Sequence, residues 1–345
     1  GAMQELRVGN PDRLATDIGP VIDAEAQSNL LAHINKMKTV AIDHYSLDLP
    51  TVKGTFVAPT VLEIKSLAQL TQEVFGPVLH VIRYKRAELP QLVQSINDSG
   101  YGLTLGIHTR IDETIDFITK RAHVGNIYVN RNIVGAVVGV QPFGGEGKSG
   151  TGPKAGGPLY LKRLQRNAPA GAQHQRQAPP ALDALTVWAK MHGHDQVQQL
   201  AQEYARTTLL GSSTVLPGPT GERNTLSFAA RGTILCAAAT SGTLMNQLAA
   251  VLATGNQALV LAQSPELIPG DLPAALKDRI QVVSSLASVQ HDFQIAMIEA
   301  SLDGQLKPLL AAREGALVGT IATTQEGVIP LWRLVAERAL CVNTT

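Results

Sequence analysis

Between residues 20 and 38 apolar side chains recur every three or four positions, and Asp23 stands where a helix would be capped, so the pattern predicts a helix. "GTFVAPTVLEI" (54–64) is rich in β-formers and bounded by glycine and proline, as a strand would be. "VLHVIRY" (78–84) reads as a buried strand, "ELPQLVQSINDSG" (88–100) as a helix closed by Gly100, and "LTLGIHT" (103–109) as a strand. "DETIDFITKRAH" (112–123) reads as another helix and "GNIYVN" (125–130) as a further strand. Strands alternating with helices imply an α/β domain built on a largely parallel sheet.

The pattern breaks after Leu164. "QRNAPAGAQHQRQAPPAL" (165–182) carries alanine, proline, glutamine and arginine without an apolar face, and reads as a linker rather than a basic patch. Helical segments follow over 183–209, then α/β again: "GTILCAAAT" and "QALVLAQ" as strands around the helix "TLMNQLAAVLAT", with "IQVVSS", "FQIAMIEA" and "GALVGTIAT" later. The expected organisation is a domain over 1–164, a linker over 165–182 and a second domain over 183–345. At 345 residues and 44% hydrophobic content, each domain has enough apolar material for its own core.

Composition narrows the function classes. A net charge of +1 with few aromatics offers neither a nucleic-acid footprint nor a membrane-surface patch, which leaves small molecules and protein surfaces as partners. No run approaches the roughly 18 apolar residues of a membrane span. The two cysteines, Cys236 and Cys341, lie far apart without C-x-x-C company, which argues against both zinc and a disulfide framework and fits a reducing cytoplasm. "HGHD", with His192, His194 and Asp195, reads as a solvated turn after a helix rather than a metal cluster, so no metal site is expected.

The stretch with most chemistry in it is "PFGGEGKSG" (142–150). Gly147, Lys148 and Ser149 match the second half of a P-loop, but Pro142 replaces its first glycine. The segment after Ser149, "GTGPKAGGP", holds too many glycines and prolines to start the helix that a P-loop needs. A glycine-dense loop can still hold an anion by turning amides inward, and Ser149, Gly150 and Thr151 suit a carboxylate. A tight packing turn explains the loop alone equally well.

Three stretches in fixed order resemble the aldehyde dehydrogenase superfamily: "EVFGPV" (73–78), "YGLTLGI" (101–107) with "GNIYVN" behind it, and "PFGGEGKSGTG" (142–152). A narrower resemblance, to the bacterial proline utilization A (PutA) family, rests on "GPVIDAEA", "NRNIVGAVVGVQPFGGEGKSGTGPKAGGPLYLKRL" and "LPGPTGERNTLSFAARG". It runs from about residue 4 to the end of the chain. That family joins an FAD-dependent proline dehydrogenase to an NAD-dependent L-glutamate γ-semialdehyde dehydrogenase. The resemblance therefore implies an α/β fold in which the C-terminal part of an aldehyde dehydrogenase catalytic domain precedes a degenerate Rossmann-like domain of the same type.

By the same resemblance, Glu73 would accept hydrogen bonds from the nicotinamide ribose hydroxyls of NAD, and Phe75 would pack on that end of the cofactor. Lys148, Ser149 and Gly150 would form the loop that anchors the α-carboxylate of the aldehyde. Phe143 would line the aldehyde pocket, a role nearly matched in weight by that of a core aromatic. Family members attack the aldehyde with a cysteine thiolate, pass hydride to NAD and hydrolyse the thioester with a carboxylate-activated water. That cysteine precedes "EVFGPV" by more chain than is present, and neither Cys236 nor Cys341 matches it, so nucleophile and general base are expected outside this chain. The expectation is a C-terminal piece without catalytic residues of its own, inactive alone, and ending short of the family's further tail.

"TGERN", "RGTIL" and the helix ending "ATGN" (within 220–269) resemble the start of an aldehyde dehydrogenase NAD-binding domain. "AAATSG" (Ala237–Gly242) replaces the family's Trp-Asn-Phe-Pro, and Leu261 or Ala262 replaces the lysine that reaches the adenosine ribose. A scaffold that does not hold NAD, and that covers the channel between the family's two active sites, is implied. A nucleotide-sensing or an oligomerisation module is the alternative. Implied partners are the rest of the PutA polypeptide and its small-molecule substrate, with homo-oligomers of the parent; the implied location is cytoplasmic, with peripheral membrane association open for the parent.

Overall fold

The computed structural model describes residues 1–50, 53–165, 179–262, 265–289 and 292–344. Contacts divide the chain into two compact units, Gly1–Ile96 and Asn97–Thr345. Most of the expected linker, residues 166–178, lies outside the described residues.

In the first unit, helix α1 (Ala24–Lys38) starts where Asp23 accepts the N–H of Ala26 at 2.8 Å, the capping its sequence predicts. Leu30, Ile34 and Met37, spaced by four and three, form its buried stripe. They meet a three-stranded sheet in the order β1 (Asp43–Ser46), β2 (Thr60–Glu63), β3 (Val78–Val81), with Leu30 and Ile34 against Val57 and Met37 against Leu62 and Ile64. The strand expected over 54–64 begins only at Thr60, because Pro59 has no N–H for a ladder. The expected buried strand 78–84 is instead a short edge strand, parallel to β2, with Leu79 58% exposed. Helix α2 (Leu89–Asp98) follows, and Gly100 at φ +75° turns the chain out of it, as expected.

The second unit holds two five-stranded sheets. The expected strands and helix from the first half appear as β5 (Thr104–Ile107), α3 (Asp112–Arg121) and the fully buried β6 (Asn126–Val129), flanked by the two-residue strands β4 (Tyr101–Gly102) and β7 (Glu146–Gly147). After the short helix α4 (Tyr160–Leu164), α5 (Pro180–Met191) and α6 (Asp195–Thr207) account for the expected helical region. Then come β8 (Ser213–Leu216), β9 (Glu222–Ala230), β10 (Thr233–Ala237), α7 (Ser241–Ala253), β11 (Gln257–Leu261), α8 (Ala274–Lys277), β12 (Ile280–Val283), β13 (Ile295–Glu299), α9 (Asp303–Ala311), β14 (Gly319–Thr323) and β15 (Val335–Asn343).

One sheet, β12-β11-β10-β13-β14, is parallel throughout and, among the described residues, has the Rossmann strand order 3-2-1-4-5 without a sixth strand, as the alternating pattern implied. Its helix α7 is buried from Thr243 to Ala253, which matches its nearly continuous apolar sequence; α5 and α6 contribute Leu185, Trp188, Leu200 and Tyr204 to the same core. Of the two buried amide side chains inside α7, Asn246 is satisfied, its Nδ2 donating to the carbonyls of Thr324 (2.9 Å) and Gly327 (2.8 Å) and its Oδ1 accepting from the Tyr204 hydroxyl at 2.7 Å, whereas Gln247 donates from Nε2 to Thr323 Oγ1 at 2.7 Å and leaves its Oε1 buried without a partner.

The other sheet, β5-β6-β15-β9-β8, is where the structure departs from the sequence pattern. The last strand, β15, lies parallel to β6 and antiparallel to β9, so residues from both sides of 165–182 share one sheet. The contact boundary accordingly falls at Ile96/Asn97 and not at the expected linker.

Candidate functional site

The residues singled out by the sequence fall on two loops, one in each compact unit. In the first unit, "EVFGPV" connects α1's core to β3. Val74 packs into the cluster of Leu30, Ile34 and Val57, and a side chain at Gly76 would place its Cβ 2.5 Å from Leu30. Pro77 O accepts the N–H of Thr60 at 2.9 Å. The loop is thus pinned on both sides of Phe75, whose ring stands 82% exposed, with Glu73 exposed two residues earlier. A large apolar ring held out of the core beside a surface carboxylate fits the end of a cofactor that offers a diol and a planar face.

In the second unit, the glycine loop is closed by pairing of β4 with β7, Tyr101 opposite Gly147 and Gly102 opposite Glu146. Gly147 sits at φ +63° with the Gly100 carbonyl where a Cβ would be, so only glycine fits. Lys148 N–H donates to Gly100 O (2.8 Å), and Ser149 N–H to Glu146 O (3.0 Å). Gly150 N–H reaches Gly147 O only at 3.4 Å, and Ser149 Oγ accepts the N–H of Gly102 at 3.0 Å. Of the three amides expected to face an anion, that of Ser149 is satisfied within the turn, because the β4–β7 pairing closes it onto a carbonyl, and that of Gly150 only weakly. The donors that remain for an anion are the Ser149 hydroxyl hydrogen, the weakly engaged amide of Gly150 and the amide of Thr151. Lys148 folds back, its Nζ 3.0 Å from Ser99 O and 5.0 Å over the Tyr101 ring. Phe143, half-buried, exchanges both backbone hydrogen bonds with Ala155 (3.0 and 2.9 Å), which binds the two ends of the loop together.

Sequence reasoning missed the group that holds this loop in place. Lys154 is 2% exposed; its Nζ donates to Asn126 Oδ1 at 3.0 Å and to Gly144 O, and its backbone N–H donates to Glu337 Oε2 at 2.7 Å. Burial lowers its ammonium to a pKa of about 8, against the opposing pull of Glu146 and Glu337. Burial likewise raises the Glu337 carboxyl. A lone buried lysine in a Gly/Pro-rich stretch has no periodic signature, and its partner on β15 is 183 residues away.

Neither cysteine is placed as a nucleophile. Cys236 in β10 is fully buried, and burial pushes its thiol up. Cys341 in β15 is 2% exposed, its thiol also raised by burial, with Arg131 Nη1 at 3.1 Å. His192 bonds Asp271 at 2.8 Å and, like His194, stacks on Trp188 at about 5 Å between ring centroids.

At the Rossmann-type sheet, "AAATSG" forms the turn from β10 into α7. Thr240 caps the helix, and Glu299 Oε2, from the end of β13, accepts the N–H groups of Ala239 (2.8 Å) and Thr240 (3.1 Å). A side-chain carboxylate thus sits on the two amides just before the first turn of α7, beside the helix start where phosphate binds in dinucleotide-binding folds. Leu261 lines a neighbouring cavity of about 500 Å³, and Ala262 is buried.

The aldehyde dehydrogenase family profile matches residues 1–167. The bifunctional protein PutA of Escherichia coli strain K12 is 47% identical over 373 aligned residues, covering the whole of this chain and 28% of that protein. The 1-pyrroline-5-carboxylate dehydrogenase of Geobacillus kaustophilus is 38% identical over 160 residues, 46% of this chain and 31% of that protein. The solved PutA of Corynebacterium freiburgense superposes over the whole chain with a TM-score of 0.71 at 23% identity, covering 33% of that structure, which shows a shared fold. The chain spans little more than a quarter of the length of the curated PutA relatives it matches. Residues 1–167 match the aldehyde dehydrogenase family, and the chain as a whole is similar to a part of the bifunctional PutA proteins.

Proposed function

We propose that this chain supplies the substrate-anchoring and nicotinamide-end contacts of an L-glutamate γ-semialdehyde dehydrogenase, within a longer PutA-type protein that oxidises proline to glutamate. The observation that carries the reading is the glycine loop: Gly147 forces a turn that leaves the Ser149 hydroxyl and the Gly150 and Thr151 amides as adjacent donors, a set suited to a carboxylate. Lys148 adds positive charge beside them, and Phe143 sets the loop's far edge.

Glu73 and Phe75 would hold the nicotinamide ribose end of NAD, which when bound supplies the hydride acceptor. Their support is the pinned loop that leaves both exposed. The FAD of such a protein belongs to its proline dehydrogenase half and involves no residue of this chain. Buried, raised thiols at Cys236 and Cys341 support a nucleophile and general base located elsewhere in the polypeptide.

The domain from 183 onward acts as a noncatalytic lid over an internal channel. Glu299 beside the start of α7 supports this over nucleotide binding, since its negative charge stands where a phosphate would approach. The experiment is NADH formation from glutamate γ-semialdehyde. The 345-residue chain alone is expected to give none, while the PutA-type protein containing it turns over; turnover by the chain alone would overturn the assignment of the nucleophile.

A further inference from the structure

Within the second unit a cleft of about 240 Å³ opens beside the end of the glycine loop, and three guanidinium groups line it: Arg163 on α4, Arg231 in the β9–β10 turn and Arg333 just before β15. The two turn arginines come together because β9 and β15 are neighbours with Ala230 opposite Val335. Arg231 Nε donates to Arg333 O at 3.0 Å, which fixes its plane, and its Nη2 lies 3.3 Å from where a Cβ on Gly152 would be. Among the described residues none of the three makes an ion pair within 4.0 Å. A single carboxylate, Glu337, lines the same cleft, and it already accepts from the Lys154 amide. Arg333 shows the resulting tension: burial, then repulsion by Arg163 and Arg231, brings its pKa down to about 10.

Three like charges gathered in a cleft with one partly engaged carboxylate cost free energy, which a bound anion would relieve. Guanidinium groups offer forked donors to planar or tetrahedral oxyanions. Trp332 and Leu159 supply an apolar wall on the same cleft. Its volume is below the roughly 300–1,000 Å³ of ordinary ligand pockets, which favours a small anion over a dinucleotide.

We propose that this cleft is a binding site for a small oxyanion metabolite, carboxylate or phosphate, separate from the carboxylate seat at Ser149 and Gly150. Because Thr151, Gly152 and Pro153 line it, its occupant would touch the chain directly after Gly150.

Calorimetric titration of inorganic pyrophosphate, and separately of citrate, into the full-length protein tests this at low ionic strength. The expected result is one saturable site for at least one probe; tighter pyrophosphate identifies a phosphate ligand and tighter citrate a carboxylate. Arg163→Gln and Arg333→Gln should each weaken binding at least about tenfold, the loss expected of one charge-assisted contact, while exposed Arg279→Gln leaves it unchanged. Arg163 is exposed, so its substitution keeps the fold even if Arg333→Gln disturbs it. No saturable binding of either probe, or undiminished binding in Arg163→Gln, would overturn the proposal.

Discussion

Replacing Lys154 with methionine keeps the aliphatic stem and removes only the ammonium. Two effects oppose each other. The cation is 2% exposed, and a pKa brought from 10.5 to about 8 corresponds to a burial cost of about 3 kcal/mol, which the substitution relieves. Against that, Gly144 O loses its donor and Asn126 Oδ1 keeps only the Gly144 N–H at 3.1 Å. Each hydrogen bond from a charged group contributes about 1.5–3 kcal/mol. The pull of the buried carboxylates Glu146 and Glu337 is already contained in that lowered value. The two hydrogen bonds together outweigh the relieved cost, and a net loss of up to about 3 kcal/mol is expected at pH 7. Both tryptophans, Trp188 and Trp332, lie in the second unit, so their fluorescence during urea unfolding reports on that unit alone. With a slope of about 2 kcal/mol per molar urea the midpoint should fall by up to about 1.5 M. The folded pKa is lowered, so between about 8 and 10.5 the unfolded state holds more proton and wild-type stability relative to Lys154→Met should rise with pH. A midpoint at pH 7 equal to or above wild type would refute the reasoning, because desolvation would then outweigh every contact the lysine makes.

The imidazoles of His33 and His80 face each other at 2.9 Å, and burial lowers both, so the first unit should lose stability as pH falls below 6.5 through the lowered folded values. Thermal melts of His80→Gln against wild type between pH 5 and pH 8 should diverge in that window; parallel curves would contradict it. Tyr204→Phe removes the hydroxyl that donates to Asn246 and accepts the N–H of Ile329 at 2.9 Å, and should cost the second unit about 1–3 kcal/mol in urea unfolding, whereas a neutral effect would mean water replaces it.

Much of the fold was legible because its signals are local. Asp23, Gly100 and the buried strand 126–129 sit where capping and patterning rules put them, and the βα alternation after residue 232 yields the parallel sheet. The misreadings share a cause in partners distant along the chain. Edge exposure of β3 depends on which strand lies beside it, and the place of β15 beside β6 depends on a pairing across more than 200 residues. The candidate site divides the same way. Glycine density points to one loop and the family resemblance of EVFGPV to the other, but Lys154 under the anchor loop, Glu299 beside the helix start and the arginine cleft arise from side chains that meet only after folding.

The anchoring role of the glycine loop is the centre of the account, and Ser149→Ala in the PutA-type protein tests it most directly. Its hydroxyl is one of three donors left for a carboxylate, worth a factor of about 10 or more when the acceptor is charged. Steady-state kinetics with glutamate γ-semialdehyde should show KM raised by at least about tenfold, while butyraldehyde, which has no carboxylate to anchor, stays within about twofold. An equal change for both aldehydes, or none for either, would contradict the account.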